Sequence, residues 1–197
     1  MRKLPLILVC LYCFLENVKA QTIDINNVRY SFSGAYAAVS KYLGGEGVCT
    51  IPEKIEYNDL EYIVTAIGSE AFRNKLVTEV KLPETIRFIY SNAFYSCSKL
   101  SKINLSSSLT LIGAEAFRYC GELTQLIIPE YVSFELYGSG QFAGCNTLRT
   151  LIYLAKKAPK YWTATSFTYV PDIHHNLFQM KAFLKFCLKH YHQLLDL

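Results

Sequence analysis

Proton transfer and metal ligation near neutral pH fall first to histidine, and all four histidines of this chain, His174, His175, His190 and His192, lie in its C-terminal tail. A general base, an activated nucleophile or an imidazole-held metal would therefore have no histidine partner upstream. His174-His175 reads as a solvated pair in a connecting segment. The carboxylates Glu53, Glu56, Asp59, Glu61, Glu70 and Glu84 are scattered singly on expected turns. Glycosidase chemistry needs two carboxylates held about 5–10 Å apart across a cleft, and the sequence shows no such pair. Gly44-Gly45-Glu46-Gly47 lacks the Lys-Ser or Lys-Thr ending of a phosphate loop and is expected to be a hairpin tip. Of seven cysteines, Cys10 and Cys13 belong to an N-terminal leader described below, which leaves Cys49, Cys97, Cys120, Cys145 and Cys187. An odd count argues against a complete disulfide framework. None of the five forms a Cys-x-x-Cys pair or has a histidine near Cys97, Cys120 or Cys145, so a zinc site is not expected. The sequence offers no catalytic constellation, cofactor site or metal ligand set.

What it offers instead is a period. Ile67-Gly68-Ser69-Glu70-Ala71-Phe72 recurs as Ile89-Tyr90-Ser91-Asn92-Ala93-Phe94 and Ile112-Gly113-Ala114-Glu115-Ala116-Phe117, with weaker copies ending at Gln141-Phe142 and Ser166-Phe167. Cys97, Cys120 and Cys145 share a frame with these phenylalanines, as do Leu100, Leu123 and Leu148. Between them, Val80-Lys81-Leu82-Pro83, Ile103-Asn104-Leu105-Ser106 and Leu126-Ile127-Ile128-Pro129 alternate apolar and variable residues, as a strand with one buried face does. Cys49-Thr50-Ile51-Pro52 is an earlier copy. Val64-Thr65-Ala66-Ile67, Ile86-Arg87-Phe88-Ile89 and Leu109-Thr110-Leu111-Ile112 read as a second short strand or extended turn on the far side of each coil.

A unit of this size cannot bury its apolar positions alone, whereas stacked copies bury them against one another. The expected shape is a solenoid whose rungs lie ~4.8 Å apart, with Phe, Cys and Leu in three apolar ladders. Equivalent cysteines on neighbouring rungs point their Cβ bonds in parallel, the wrong geometry for a disulfide. They are expected to be free, buried, small core residues.

The first twenty residues have a basic start at Arg2 and Lys3, an apolar run from Leu4 to Leu15, and small Val18 and Ala20 before Gln21. This is the pattern of a secretory signal peptide cleaved after Ala20, too short to span a bilayer. No later segment is long and apolar enough to span one, so an exported protein, secreted or at the cell surface, is expected. Hydrophobic residues make up 51% of the 197 residues and charged ones 18%, which disfavours disorder. The leader holds Arg2, Lys3 and Lys19 against Glu16, leaving 17 basic and 15 acidic groups of the chain's 20 and 16. That excess is too small to argue for a nucleic-acid partner.

On these motifs the chain resembles the leucine-rich repeat proteins of the BspA-like type, secreted and surface proteins of bacteria and some protists. Leu100 to Cys120 carries the unit almost throughout: a leucine, a short strand, an Ile-Gly segment, then Ala-Phe-x-x-Cys. Gly47 to Pro52 through Glu61 to Gly68 is similar to the family's opening unit, where a small hairpin leads into the first coil. Ala158-Pro159 to Phe167, then Val170-Pro171, is similar to its closing segment. Asn74-Lys75-Leu76 shortens the first turn and omits its Cys, Ser106 replaces a Pro, and Val132 to Tyr137 carries an insertion without Ile-Gly. The expected fold is a β-rich leucine-rich repeat solenoid with short turns or helical segments and a C-terminal amphipathic helix. Its expected division is signal peptide 1–20, N-terminal hairpin or cap 21–46, solenoid 47–171 and tail 172–197.

In that tail Leu177, Met180, Leu184, Cys187, Leu188, Tyr191, Leu194 and Leu195 recur at helical spacing opposite Lys181, Lys185, Lys189 and His192. Such a helix caps the open end of the array, lies on an anionic membrane surface, or enters a partner groove. If Val80 and Leu82 point inward, Glu79, Lys81, Lys102, Asn104, Gln125, Ile127, Thr150 and Ile152 share one outer face. That face is either merely solvated or a recognition surface for a protein or glycan of a host surface or matrix. Tyr57, Tyr62, Tyr131, Tyr161 and Trp162 on turns would add contacts. The resemblance implies an adhesion or host-interaction module without enzymatic activity. A structural solenoid, remnant of a larger surface protein, is the alternative reading, and an enzyme the remaining one.

Overall fold

The computed structural model describes residues 21–135 and 140–154. The expected leader, the expected closing segment with Ser166-Phe167, the expected tail helix with Cys187, the four histidines, Tyr161 and Trp162 lie outside the described residues. The chain begins with three antiparallel strands, β1 (Thr22–Ile25), β2 (Val28–Ser33) and β3 (Tyr36–Tyr42). Asn26 and Asn27, with φ of 48° and 62°, make the two-residue turn of the first hairpin, which needs the left-handed conformation that asparagine tolerates. Gly44-Gly45-Glu46 is not a hairpin tip, contrary to the sequence expectation. β4 (Gly47–Thr50) leaves the sheet of β3 and pairs in parallel with a strand one coil later, so the glycines turn a corner between two sheets. The opening hairpin is instead β5 (Lys54–Tyr57) and β6 (Leu60–Ile67), closed by Asn58 and Asp59 with φ of 50° and 58°. The far half of β6 then pairs in parallel with β3, and the coils begin.

Seven short strands complete the array: β7 (Val77–Lys81), β8 (Phe88–Ile89), β9 (Lys102–Asn104), β10 (Leu111–Ile112), β11 (Gln125–Ile128), β12 (Ser133–Phe134) and β13 (Thr150–Tyr153). One side of the solenoid carries β4-β7-β9 and β11-β13, and another β6-β8-β10-β12, all in parallel. The third side is turn throughout, and no helix occurs among the described residues. The reason is visible in the backbone. Two residues before each core phenylalanine stand Glu70, Asn92, Glu115 and Gly140, and two after it Asn74, Ser96, Tyr119 and Gly144; all eight have positive φ. A positive-φ residue at both ends of each five-residue turn segment stops any right-handed helical run. The turns are nonetheless laddered: Phe72 N–H donates to Ala93 O at 2.7 Å, Phe94 to Ala116 and Phe117 to Gln141 at 2.8 Å.

The interior is built of parallel stacks of side chains. Tyr42, Phe72, Phe94, Phe117 and Phe142 follow one another with ring centroids 5.0, 4.9, 5.2 and 5.8 Å apart and planes within 24° of parallel. Beside them Val77, Leu100, Leu123 and Leu148 are fully buried, Val77 serving the leucine position in the shortened first coil. Cys49, Val80, Ile103, Leu126 and Leu151 form the strand ladder. Cys49, Cys97, Cys120 and Cys145 are free and buried, as the rung geometry requires. The Ile-Gly pair also has a physical cause: a Cβ on Gly113 would stand 2.4 Å from the Ser91 backbone nitrogen, and one on Gly68 2.8 Å from the Val39 carbonyl oxygen. Successive coils approach too closely there for a side chain.

Candidate recognition face

The period-2 alternation of the strands places all eight singled-out side chains on one outer face. Val80, Ile103, Leu126 and Leu151 are buried between them. Lys81, Lys102, Asn104, Gln125 and Ile127 are exposed, while Glu79, Thr150 and Ile152 are half-buried. Register brings Glu79 opposite Lys102 and Lys81 opposite Asn104, then Gln125 opposite Thr150 and Ile127 opposite Ile152. The face starts one coil earlier than the sequence reading had it. Val48 and Thr50 of β4 stand opposite Glu79 and Lys81, and Val48 is 55% exposed. The signal lies in Cys49-Thr50-Ile51-Pro52, the earlier copy of the strand motif, whose Cys49 is buried between Val48 and Thr50.

Two features of this face are not legible in residue spacing. Lys102 Nζ lies 3.0 Å from Glu79 Oε1, so these two charges neutralise one another across adjacent strands. Their side chains are 62% and 21% exposed, which places the pair among surface ion pairs worth about 0–1 kcal/mol. Second, the sheet is interrupted: β9 and β11 occupy consecutive coils, yet no strand pairing joins them. A cleft of about 750 Å3 opens at this break, walled by Lys102 and Asn104 on one side, Gln125 and Ile127 on the other, with Glu84, Glu130 and Tyr131 beyond the strand ends.

Ser106, which replaces the expected proline, shapes this end of the cleft. It is buried, its hydroxyl donates to Glu84 O at 2.9 Å and accepts from Ser108 N–H at 3.1 Å. The Glu84 carboxylate in turn accepts from the hydroxyl and backbone N–H of Ser107 at 2.7 and 2.8 Å. These hydrogen bonds from Ser107 hold the Glu84 carboxyl below the usual carboxylate range.

The other singled-out residues separate from the face. Tyr57 and Tyr62 lie in strands rather than on turns, and both rings pack on Phe32, at 5.4 and 4.5 Å between centroids. Tyr131 is 72% exposed. Among the carboxylates, Glu56 and Glu61 stand opposite each other in the β5–β6 hairpin, a juxtaposition the sequence reading missed. They occupy a solvent-facing hairpin, and Glu61 is ion-paired with Lys54 at 2.8 Å. Glu70 pairs with Arg73 at 2.6 Å. Among the described residues no group of His, Cys, Asp and Glu is arranged to hold a metal ion, and no helix is long and apolar enough to cross a membrane.

The BspA type leucine rich repeat region matches residues 49–180, in six copies. No curated protein matches the chain. Among solved structures, a leucine-rich repeat protein from Bacteroides capillosus is similar at 28% identity and TM-score 0.60, over 67% of this chain and 97% of that one. A leucine-rich cell surface protein from Faecalibacterium prausnitzii shares 28% identity at TM-score 0.51, over 68% of this chain and 42% of its own. The pneumococcal vaccine antigen PcpA has the same fold at 21% identity and TM-score 0.64, over 78% of this chain and 43% of its own. The aligned part is thus less than half the length of the latter two proteins. Six repeat copies over two thirds of the sequence, together with parallel coils and phenylalanine, cysteine and leucine stacks in the described residues, show that the chain belongs to the BspA-type leucine-rich repeat family.

Proposed function

We propose that this protein is an exported, nonenzymatic binding module that contacts a protein or glycan ligand, as in adhesion to a host surface or matrix, through the face of β4, β7, β9, β11 and β13. The observation that carries this reading is the division of labour along those strands. One set of side chains is fixed by the apolar ladder, while Lys81, Asn104, Gln125 and Ile127 are held outward at strand spacing with no structural duty in the core. Rigid elements presenting variable side chains are what solenoids use for recognition. The description of the Faecalibacterium relative as a cell surface protein supports a surface location here, as does the signal-peptide-like pattern of residues 1–20.

The test is a pulldown from host extracellular matrix and mucin by the full chain. Lys81→Glu, which adds an unmatched charge to the face, is expected to reduce recovery severalfold. The double exchange Glu79→Lys with Lys102→Glu keeps the ion pair while inverting its field and serves as the second variant. Equal recovery with all three proteins overturns the reading of this face, and no recovery above a mock resin favours a structural solenoid.

A further inference from the structure

The recognition face has depth at the break between β9 and β11. Paired strands present a nearly flat surface, whereas this cleft, at about 750 Å3, lies within the range of about 300–1,000 Å3 that small-molecule sites occupy. Its chemistry narrows the occupant. Asn104 and Gln125 line it from opposite sides of the break, diagonal to one another because Ile103 and Leu126 share the ladder position, and each exposed amide offers donors and an acceptor in one plane. Thr124 adds a hydroxyl to the same wall. Tyr131, 72% exposed, and exposed Ile127 both line the cleft, so an aromatic ring and an apolar side chain are available there. An aromatic face beside planar amides suits a pyranose, whose axial C–H groups are apolar and whose ring edge carries hydroxyls that both donate and accept.

Charge separates the alternatives. Lys102 is matched by Glu79, so the cleft offers no unmatched cation of its own to a sulfated or sialylated chain. The Glu84 carboxylate is already engaged by Ser107, and exposed Glu130 at the strand end adds a negative charge that disfavours an anionic chain further. Resting on the recognition-face reading above, we infer that the β9–β11 cleft binds neutral oligosaccharide, its hydroxyls bonded by Asn104 and Gln125 and one ring stacked on Tyr131.

The experiment presents the full chain to an array holding neutral mucin-type core oligosaccharides and β-glucan oligosaccharides beside sialylated and sulfated forms. Saturable binding to at least one neutral probe is expected, unchanged at about 1 M salt, where charges beyond about 3 Å are screened. Asn104→Ala with Gln125→Ala, and separately Tyr131→Ala, are expected to weaken it by about tenfold or more. Tyr36→Ala, an exposed tyrosine on β3 away from the cleft, is expected to leave it unchanged. All these positions are at the surface, so matching thermal melts verify folding. The cleft assignment is overturned if only anionic probes bind, if no probe binds, or if the cleft variants bind as well as the parent. Matrix protein recovery that is lost in Lys81→Glu but kept in the cleft variants, with no neutral glycan bound, sinks the cleft alone and leaves the recognition face standing.

Discussion

The Cys120 thiol donates to the backbone carbonyl of Phe94, one coil upstream, at 3.2 Å. Its own N–H donates to Phe117 O in its own turn at 3.3 Å. The same double role recurs: Cys97 Sγ reaches Phe72 O at 3.0 Å, and Cys145 Sγ reaches Phe117 O at 2.9 Å. The carbonyls of Phe94 and Phe117 therefore each receive one donor from their own turn and one from the next coil, which occupies both lone pairs in a dry interior. Cysteine is thus more than a small apolar filler here. It is compact enough for the ladder and still carries a donor, which alanine or valine would lack.

Burial and thiol donation together predict inert cysteines. With a thiol reagent under native conditions near pH 8, Cys49, Cys97, Cys120 and Cys145 are expected to stay unmodified for hours and to react fully once denatured, read by peptide mass mapping. Rapid native labelling of Cys120, which is fully buried, would contradict the stacked arrangement.

The same burial sets an alkaline limit on stability. Desolvation pushes the thiols of Cys97 and Cys49 up to about 12 and about 11 and the Tyr30 hydroxyl up to about 12, from ordinary values of 9.0 and 10.0. Between those limits the unfolded chain has lost protons that the folded chain retains, so stability falls as pH rises. It is fully present below about pH 9, and each such group then removes about 1.4 kcal/mol per pH unit. Urea midpoints measured from pH 7 to 11 should hold steady to about pH 9 and then decline. Cys97→Val should make the decline shallower, and a midpoint flat to pH 11 would count against these buried neutral groups.

The period, the strand alternation and the fate of the cysteines were legible because each recurs in residue type at fixed spacing. Tyr42 was not, since it joins the phenylalanine stack 30 positions before Phe72, from the end of strand β3 rather than from a turn and with no Ala-Phe motif. The turn at Asn58-Asp59 was expected only as a hairpin of unspecified position, because left-handed φ is a backbone property that Asn and Asp permit without requiring. Glu135 shows the same limit: where the Ile-Gly motif fails, its carboxylate accepts from Ser91 Oγ at 2.6 Å and Ala114 N–H at 2.9 Å, joining two coils through residues 44 and 21 positions away. The eight face residues followed from alternation alone. The cleft did not, because it depends on a strand pairing that fails between two coils whose sequences look equivalent.

The close approach of coils at the Ile-Gly motif gives a clean contrast. Gly113→Ala drives a Cβ into the Ser91 backbone, where no side-chain rotation relieves it. A loss of about 1–3 kcal/mol is expected, the usual cost of overpacking. A Cβ on Gly45 would meet nothing within 4 Å, and Gly45→Ala should stay within about 0.5 kcal/mol of the parent. Chemical denaturation of the two variants side by side decides the matter, and equal stability would remove the steric account of the motif.

Gln141 occupies the ladder position held by Ala71, Ala93 and Ala116, immediately before the core phenylalanine, and it is 1% exposed. Its backbone carbonyl serves the ladder, accepting from Phe117 N–H, but both side-chain polar atoms are buried with no hydrogen-bond partner among the described residues. A buried amide left unbonded costs about 1–3 kcal/mol on mutational scales. Gln141→Met keeps the volume and removes the polar atoms, so it should raise stability by about 1–2 kcal/mol. Gln141→Ala restores the repeat residue but leaves a void, so its gain should be smaller. If Gln141→Met instead lowers the urea midpoint, the amide must be bonded in solution, and the position is a functional departure from the repeat rather than a packing defect.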